Sequence, residues 1–130
     1  MLQDRPRLRS FDYIGWYRYS LTFCTAGRHH AFVAPATVDS VLTQILRAAT
    51  GDRFEIPAYC FMPDHAHFLV HGTSEASDLR AFVKAAKQYS GFRYKREARR
   101  TLWQPSYHDR VLRAEEDTWS VARYIVENPL

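Results

Sequence analysis

Two histidines one residue apart lie near the middle of the chain, in the triplet His65-Ala66-His67. Residues 58–71 around them are rich in strand formers and contain one turn signal, at residues 62–64. We therefore predict two strands that meet at this turn, the second running from about residue 65 to residue 71. Because alternate side chains of a strand point to the same side, His65 and His67 share one sheet face, where two imidazoles can hold a divalent ion.

The histidine pair also has a simpler interpretation, as two solvated strand residues. The chain contains six histidines among 130 residues, so a His-x-His triplet can arise by chance. An exposed strand face ordinarily carries Val, Thr or Tyr rather than titratable rings, and this favours metal binding. His71 points to the same side but lies further along the strand, and we interpret it as peripheral or structural.

Length and composition limit the class of protein. The chain has 130 residues, 46% of them hydrophobic and 15% aromatic, which suits a single folded domain spanning residues 1–130. Neither a run of about 18 apolar residues nor a signal-peptide pattern occurs, and we expect a cytoplasmic protein. Cys24 and Cys60 lie in predicted strands without metal-ligand spacing, and we expect both to be buried free thiols.

Positive charge is concentrated in two segments, although the formal net charge is only +4. Residues 1–12 form a basic N-terminal arm, for which we weigh a frayed terminus against contact with a nucleic-acid backbone. The second segment is a long helix predicted from residue 77 to about residue 99. Its cations alternate with aromatic residues, which favours phosphate contacts and base stacking over a merely solvated helix face. The residues that we predict to bind nucleic acid are Arg5, Arg7, Arg9, Lys84, Lys87, Arg93 and Arg96.

The remaining patterns complete an α+β fold. We predict a strand over residues 16–25, a helix over residues 35–50, a short strand before residue 113 and a last helix over residues 116–127. This order predicts a mainly antiparallel sheet with helices packed on one face, the ferredoxin-like or RRM-like architecture.

Two polar residues near the end of the last predicted helix are candidates for chemistry. Tyr124 and Asn128 are four residues apart, so they project from the same helix face. Tyr124 is out of phase with the apolar residues Val121 and Val126, and packing therefore does not require it. Tyr107, next to His108 in a predicted strand, is the runner-up tyrosine.

Several segments together resemble the single-tyrosine HUH transposases. Residues 59–70 (YCFMPDHAHFLV) are similar to the family's signature, in which two histidines flank a hydrophobic residue. Residues 102–105 (LWQP), 107–113 (YHDRVLR) and 124–129 (YIVENP) resemble one branch, the REP-associated tyrosine transposases, which are relatives of the insertion-sequence-200 type enzymes. The resemblance covers residues 16–129 in the right order and implies the HUH nuclease fold. Asp64 stands where asparagine is frequent, a departure that we expect to matter little.

The resemblance implies a role for each site residue. His65 and His67 match the metal-binding pair, Tyr124 matches the nucleophile, and Asn128 stands where the family places a third polar ligand. The implied metal is Mg²⁺ or Mn²⁺. The implied activity is that of a transposase that nicks and rejoins single-stranded DNA beside hairpin repeats through a 5′-phosphotyrosine. This branch further implies a monomer, with a homodimer as the alternative. The resemblance further implies a chain that continues for some tens of residues beyond residue 130, and it leaves open a truncated or a naturally short form.

Two other functions remain open from the sequence. One is a metal-dependent nuclease that uses water as its nucleophile, in which Tyr124 is structural. The other is a non-catalytic RRM-like nucleic-acid-binding module, in which the histidines have no role. A covalent protein–DNA adduct distinguishes the transposase from both.

Overall fold

The computed structural model describes residues 11–127 and confirms the predicted α+β class. The strands are β1 (Arg18–Cys24), β2 (Phe54–Met62), β3 (His65–Gly72) and β4 (His108–Val111), and the helices are α1 (Pro35–Asp52), α2 (Leu79–Ala98) and α3 (Thr118–Glu127). The four strands form one antiparallel sheet in the order β2-β3-β1-β4. The predicted turn at residues 62–64 connects β2 to β3.

The main core lies between one face of the sheet and the helices α1 and α2. Alternation along β1 and β3 directs Phe23, Phe68 and Val70 to this face, where all three side chains are buried. Phe82 of α2 packs against Phe54 with ring centroids 5.1 Å apart. Within the described residues, no helix is long and apolar enough to cross a membrane.

The third helix lies on the opposite face of the sheet, whereas the sequence predicted all helices on one face. Leu69 of β3, which alternates with Phe68 and Val70, forms a second buried cluster with Ala122 and Ile125 of α3. The physical reason is that β3 carries apolar residues on both of its faces, so each face must be covered. The histidine face is therefore the face on which α3 packs.

Arg18 of β1 holds the start of α3 on the sheet. Its guanidinium donates hydrogen bonds to the Glu116 carbonyl (2.6 Å), the Thr118 hydroxyl (2.8 Å) and the Arg113 carbonyl (2.7 Å). The Asp117 carboxylate accepts from the backbone N–H of Ser120 (3.2 Å), as an N-cap residue does. The position of α3 is thus fixed at its N-terminus by a sheet residue and within its length by apolar packing.

The two cysteines are free thiols, as predicted, but they differ in burial. Cys24 in the inner strand β1 is buried, while Cys60 in the edge strand β2 is only partly buried. Burial raises the pKa of both thiols. Both are therefore held in the protonated form, which is the unreactive one.

Candidate active site

His65 and His67 lie side by side on the sheet face that α3 covers. In the antiparallel register His67 is opposite Cys60 and Thr22, and His65 is opposite Met62 and Cys24. The two imidazole centroids are 5.0 Å apart and their planes are nearly perpendicular. The structure places them on one face, as the strand periodicity predicts, but buries both side chains to 7% exposure or less.

A carboxylate fixes the ring of His65. Its Nδ1 lies 2.7 Å from Oδ1 of Asp64, whose other oxygen accepts from Nε of Arg28 at 3.1 Å. Burial raises the pKa of Asp64, but the hydrogen bond from His65 and the charge of Arg28 outweigh it and leave this pKa lowered. The ionised carboxylate therefore accepts the Nδ1 proton and leaves the Nε2 lone pair for a ligand.

The Nε2 atom of His65 is buried without a hydrogen-bond partner among the described residues. A buried polar atom of this kind costs free energy unless something occupies it. A divalent ion fits, because an imidazole that is backed by a carboxylate through Nδ1 is the usual arrangement of a metal-binding histidine.

His67 is oriented by a hydroxyl group in the same way. Its Nδ1 lies 2.8 Å from Oγ1 of Thr22, the residue opposite it on β1. With Nδ1 engaged, Nε2 is the nitrogen suited to a metal. Residues 11–127 contain no cluster of three or more His, Cys, Asp or Glu side chains that could hold a metal ion. The predicted third ligand, Asn128, lies outside the described residues.

The sheet also brings His108 to this face, a histidine that the sequence did not single out. His108 of β4 is opposite Thr22, so Cys60, His67, Thr22 and His108 form one row across the four strands. Paired residues of antiparallel strands point to the same side. The edge strand β4 has only four residues and lies about 40 residues after the histidine triplet in the sequence. No local sequence pattern therefore indicated this row.

Tyr124 projects from α3 into a cleft on the β4 side of the helix. Its side chain is 66% exposed, while the neighbouring helix residues Ala122 and Ile125 are buried against the sheet. The cleft has a volume of about 470 Å³ and also includes Arg110 and Glu116. The guanidinium of Arg110 lies 3.0 Å from both carboxylate oxygens of Glu116. A tyrosine in this position is accessible to a substrate and lies beside a cation that suits a phosphate.

Other candidate tyrosines lie on the opposite face of the sheet. The ring of Tyr107, the runner-up, packs edge-on against Phe23 with centroids 6.2 Å apart, and Phe23 belongs to the main core. On α2, Tyr94 is buried, with its hydroxyl 3.2 Å from Nε2 of His29. Tyr89 lies beneath the guanidinium of Arg47.

The residues that the sequence predicts to bind nucleic acid differ in their surroundings. The ammonium of Lys87 donates to the carbonyls of Gln104 (2.7 Å) and Ser106 (2.6 Å), and burial lowers its pKa to about 8. These contacts favour a structural role for Lys87, which anchors the segment before β4. Lys84, Arg93 and Arg96 are exposed on α2. Arg5, Arg7 and Arg9 lie outside the described residues.

Comparison with known proteins identifies the class to which this fold and site correspond. Residues 15–128 match the family model described as IS200-like transposase. The match spans most of the sequence, and the chain therefore belongs to the IS200-like transposase family, as the resemblance predicted. No curated protein matches the sequence.

Solved structures agree with this membership. A REP-associated tyrosine transposase bound to a REP hairpin is similar at a TM-score of 0.76 and 19% identity, covering 98% of this chain and 73% of that one. A putative transposase from Deinococcus radiodurans R1 is similar at a TM-score of 0.63 and 28% identity, covering 95% of this chain and 97% of that one. The first likeness establishes the fold.

Proposed function

We propose that this transposase nicks and rejoins single-stranded DNA through a covalent bond between Tyr124 and a 5′-phosphate. The observation that carries the proposal is the placement of an exposed tyrosine on α3, the helix that packs on the same sheet face as the histidine pair. Two imidazoles, one with an unpartnered Nε2, together with an exposed tyrosine hydroxyl on the helix that covers their sheet face suit phosphoryl transfer better than passive binding.

The chemistry is a reversible transesterification. The Tyr124 hydroxyl oxygen loses its proton and attacks the scissile phosphorus, the bond from phosphorus to the 3′-oxygen breaks, and that oxygen takes up a proton. The tyrosine ester retains the energy of the phosphodiester, so a free 3′-hydroxyl can reverse the step and rejoin strands. A bound Mg²⁺ or Mn²⁺, held by His65 and His67 with Asn128, would polarise the scissile phosphate. Asp64 and Thr22 orient the two rings that would hold it.

The DNA partner follows from the family and from the charge of the chain. The similar REP-associated transposase is bound to a REP hairpin. We propose that this chain acts on single-stranded DNA beside hairpin repeats, and that Lys84, Arg93, Arg96 and the arm with Arg5, Arg7 and Arg9 contact its backbone. We also propose that a monomer suffices, because α3 packs on the histidine face of the sheet of its own chain.

The test uses a pool of end-labelled single-stranded oligonucleotides, each with a hairpin beside a randomised unpaired flank. The expected result with Mn²⁺ is a labelled protein–DNA adduct that survives a denaturing gel and disappears when the metal is chelated. Cleaved ends without an adduct would show that water is the nucleophile. Binding without cleavage would show a nucleic-acid-binding module. Either result would overturn the proposal.

A further inference from the structure

A groove of about 440 Å³ lies between α1 and α2, on the side of these helices that faces away from the main core. We call it the α1–α2 groove, and its chemistry is set by Arg47 of α1 with Tyr89, Phe92, Arg93 and Arg96 of α2. The histidines, Tyr124 and α3 lie on the other face of the sheet. The groove is therefore separate from the candidate active site.

Cations and aromatic rings alternate along this groove. The Arg47 guanidinium carbon is 4.2 Å from the centroid of Tyr89, and that of Arg96 is 5.8 Å from the centroid of Phe92. Phe92 is 66% exposed, although an apolar ring of this size is ordinarily buried. Among the described residues, the carboxylate that pairs with these arginines is Glu97, 3.2 Å from Nε of Arg93. The groove thus keeps an excess of positive charge beside an open aromatic face.

We propose that the α1–α2 groove binds one unpaired nucleotide of the DNA strand. Its volume of about 440 Å³ falls in the range of pockets for small ligands. An unpaired base can stack on the exposed ring of Phe92, while arginines contact the flanking phosphates. The paired bases of a duplex are stacked on each other and cannot reach the ring in this way. The ligand class is therefore single-stranded DNA.

The inference deepens the proposed function and rests on it for the identity of the strand as substrate DNA. The sheet lies between the α1–α2 groove and the face on which α3 packs, and the layers of such a fold are roughly 10 Å apart. A nucleotide in the groove and the scissile phosphate are therefore on opposite sides of the sheet. The nucleotide in the groove is therefore not the one that Tyr124 attacks. Its role is to hold a second, unpaired part of the substrate at a set distance from the cut.

Binding without chemistry gives the direct test. The probe is a fluorescent oligothymidine followed by anisotropy in the absence of divalent metal, with a duplex of equal length as the comparison. We expect Phe92→Ala and Arg47→Gln each to weaken oligothymidine binding at least fivefold, and Phe92→Trp to retain wild-type affinity. Duplex affinity should change less than twofold in Phe92→Ala. Phe92 is exposed, so the thermal melting temperature of these variants should stay near that of the wild type.

Arg80→Gln is the matched control, since it removes one exposed charge near the start of the same helix and outside the groove. An equal loss in Arg80→Gln and Arg47→Gln would show that only overall charge matters, and would overturn the inference. Wild-type oligothymidine affinity in Phe92→Ala would also overturn it. The adduct assay tests the proposed Tyr124 chemistry separately. If that chemistry is absent, no adduct forms, but the metal-free oligothymidine binding is unchanged.

Discussion

At the residue level, the candidate site depends on the side chains that contact Nδ1 of the two histidines. Asp64 lies against Nδ1 of His65 and Thr22 against Nδ1 of His67, and under the proposed function Nε2 of each ring would hold the metal ion. The shared face of the histidines could be predicted, because a strand alternates its side chains with a period of two residues. The Asp64 contact could not, because it depends on the geometry of the turn at residues 62–64. Asp64 contacts both His65 and Arg28, and the expectation that aspartate differs little from asparagine at this position stays a prediction.

Replacement of Asp64 tests this supporting role. Asp64→Ala should lower Mn²⁺ affinity by about 10- to 100-fold, because His65 loses the acceptor that fixes its ring. Asp64→Asn should cost less than about tenfold, since its amide oxygen still accepts the Nδ1 proton. Isothermal calorimetry measures both, and the double variant of His65→Ala and His67→Ala should show no specific binding.

The control for this experiment is Glu55→Gln. Glu55 is exposed, and its Oε1 lies 3.4 Å from Nδ1 of His71, a histidine of the same strand face that we interpret as structural. The Glu55→Gln variant should bind Mn²⁺ like the wild type. Unchanged affinity in Asp64→Ala, or an equal loss in Glu55→Gln, would show that Asp64 does not support the ligand set.

At the level of elements, the decisive feature is the docking of α3 on the histidine face. The existence of α3 could be predicted from its apolar spacing and from Pro129, which cannot continue a helix. Its face could not, because the choice depends on Leu69, which is about 50 residues earlier in the sequence, and on Arg18 in β1. These long-range contacts have no local signature. They are what brings Tyr124 to the same side of the sheet as the histidines.

Loss of the Arg18 side chain should therefore loosen α3. Arg18→Met keeps an unbranched stem but removes three hydrogen bonds to the segment before and at the start of the helix. We expect the free energy of unfolding to fall by roughly 1.5–3 kcal/mol, as for hydrogen bonds from a charged group, and the rate of adduct formation to fall at least tenfold. Urea denaturation and a timed gel assay measure the two effects.

Arg113→Met is the matched control. Arg113 lies in the segment before α3 that Arg18 contacts, and its side chain is 77% exposed. Its exposed ion pairs should contribute less than about 1 kcal/mol. If Arg18→Met and Arg113→Met are equally stable and equally active, Arg18 does not position α3.

For the whole molecule, the sheet separates two surfaces of different chemistry. One carries the histidine row, α3 and Tyr124, and the other carries α1, α2 and the basic groove. The high density of cations on α2 was visible in the sequence. Which of these cations make structural contacts and which line the groove could not be predicted from it. Lys87 is turned inward onto two carbonyls, whereas Arg47 of α1 joins the arginines of α2 at the groove. Only the packing of α1 on α2 shows which cations line a common groove.

The candidate tyrosines also differ in the surface on which they lie. Tyr107 packs on Phe23 in the main core, and Tyr89 and Tyr94 belong to α2. Tyr124 lies on the helix that covers the histidine face and is largely exposed to solvent. Of these four tyrosines, Tyr124 is thus the one on the surface where the metal ligands are expected.

The measurement that tests this assignment most directly is the covalent adduct formed by single-tyrosine variants with a cleavable hairpin oligonucleotide and Mn²⁺. Tyr124→Phe removes one exposed oxygen, so it should keep the wild-type melting temperature and DNA affinity while losing the adduct completely. Tyr107→Phe should retain the adduct, and mass spectrometry of the digested wild-type adduct should place the nucleotide on the peptide that contains Tyr124. An adduct that persists in Tyr124→Phe and disappears in Tyr107→Phe would contradict the assignment.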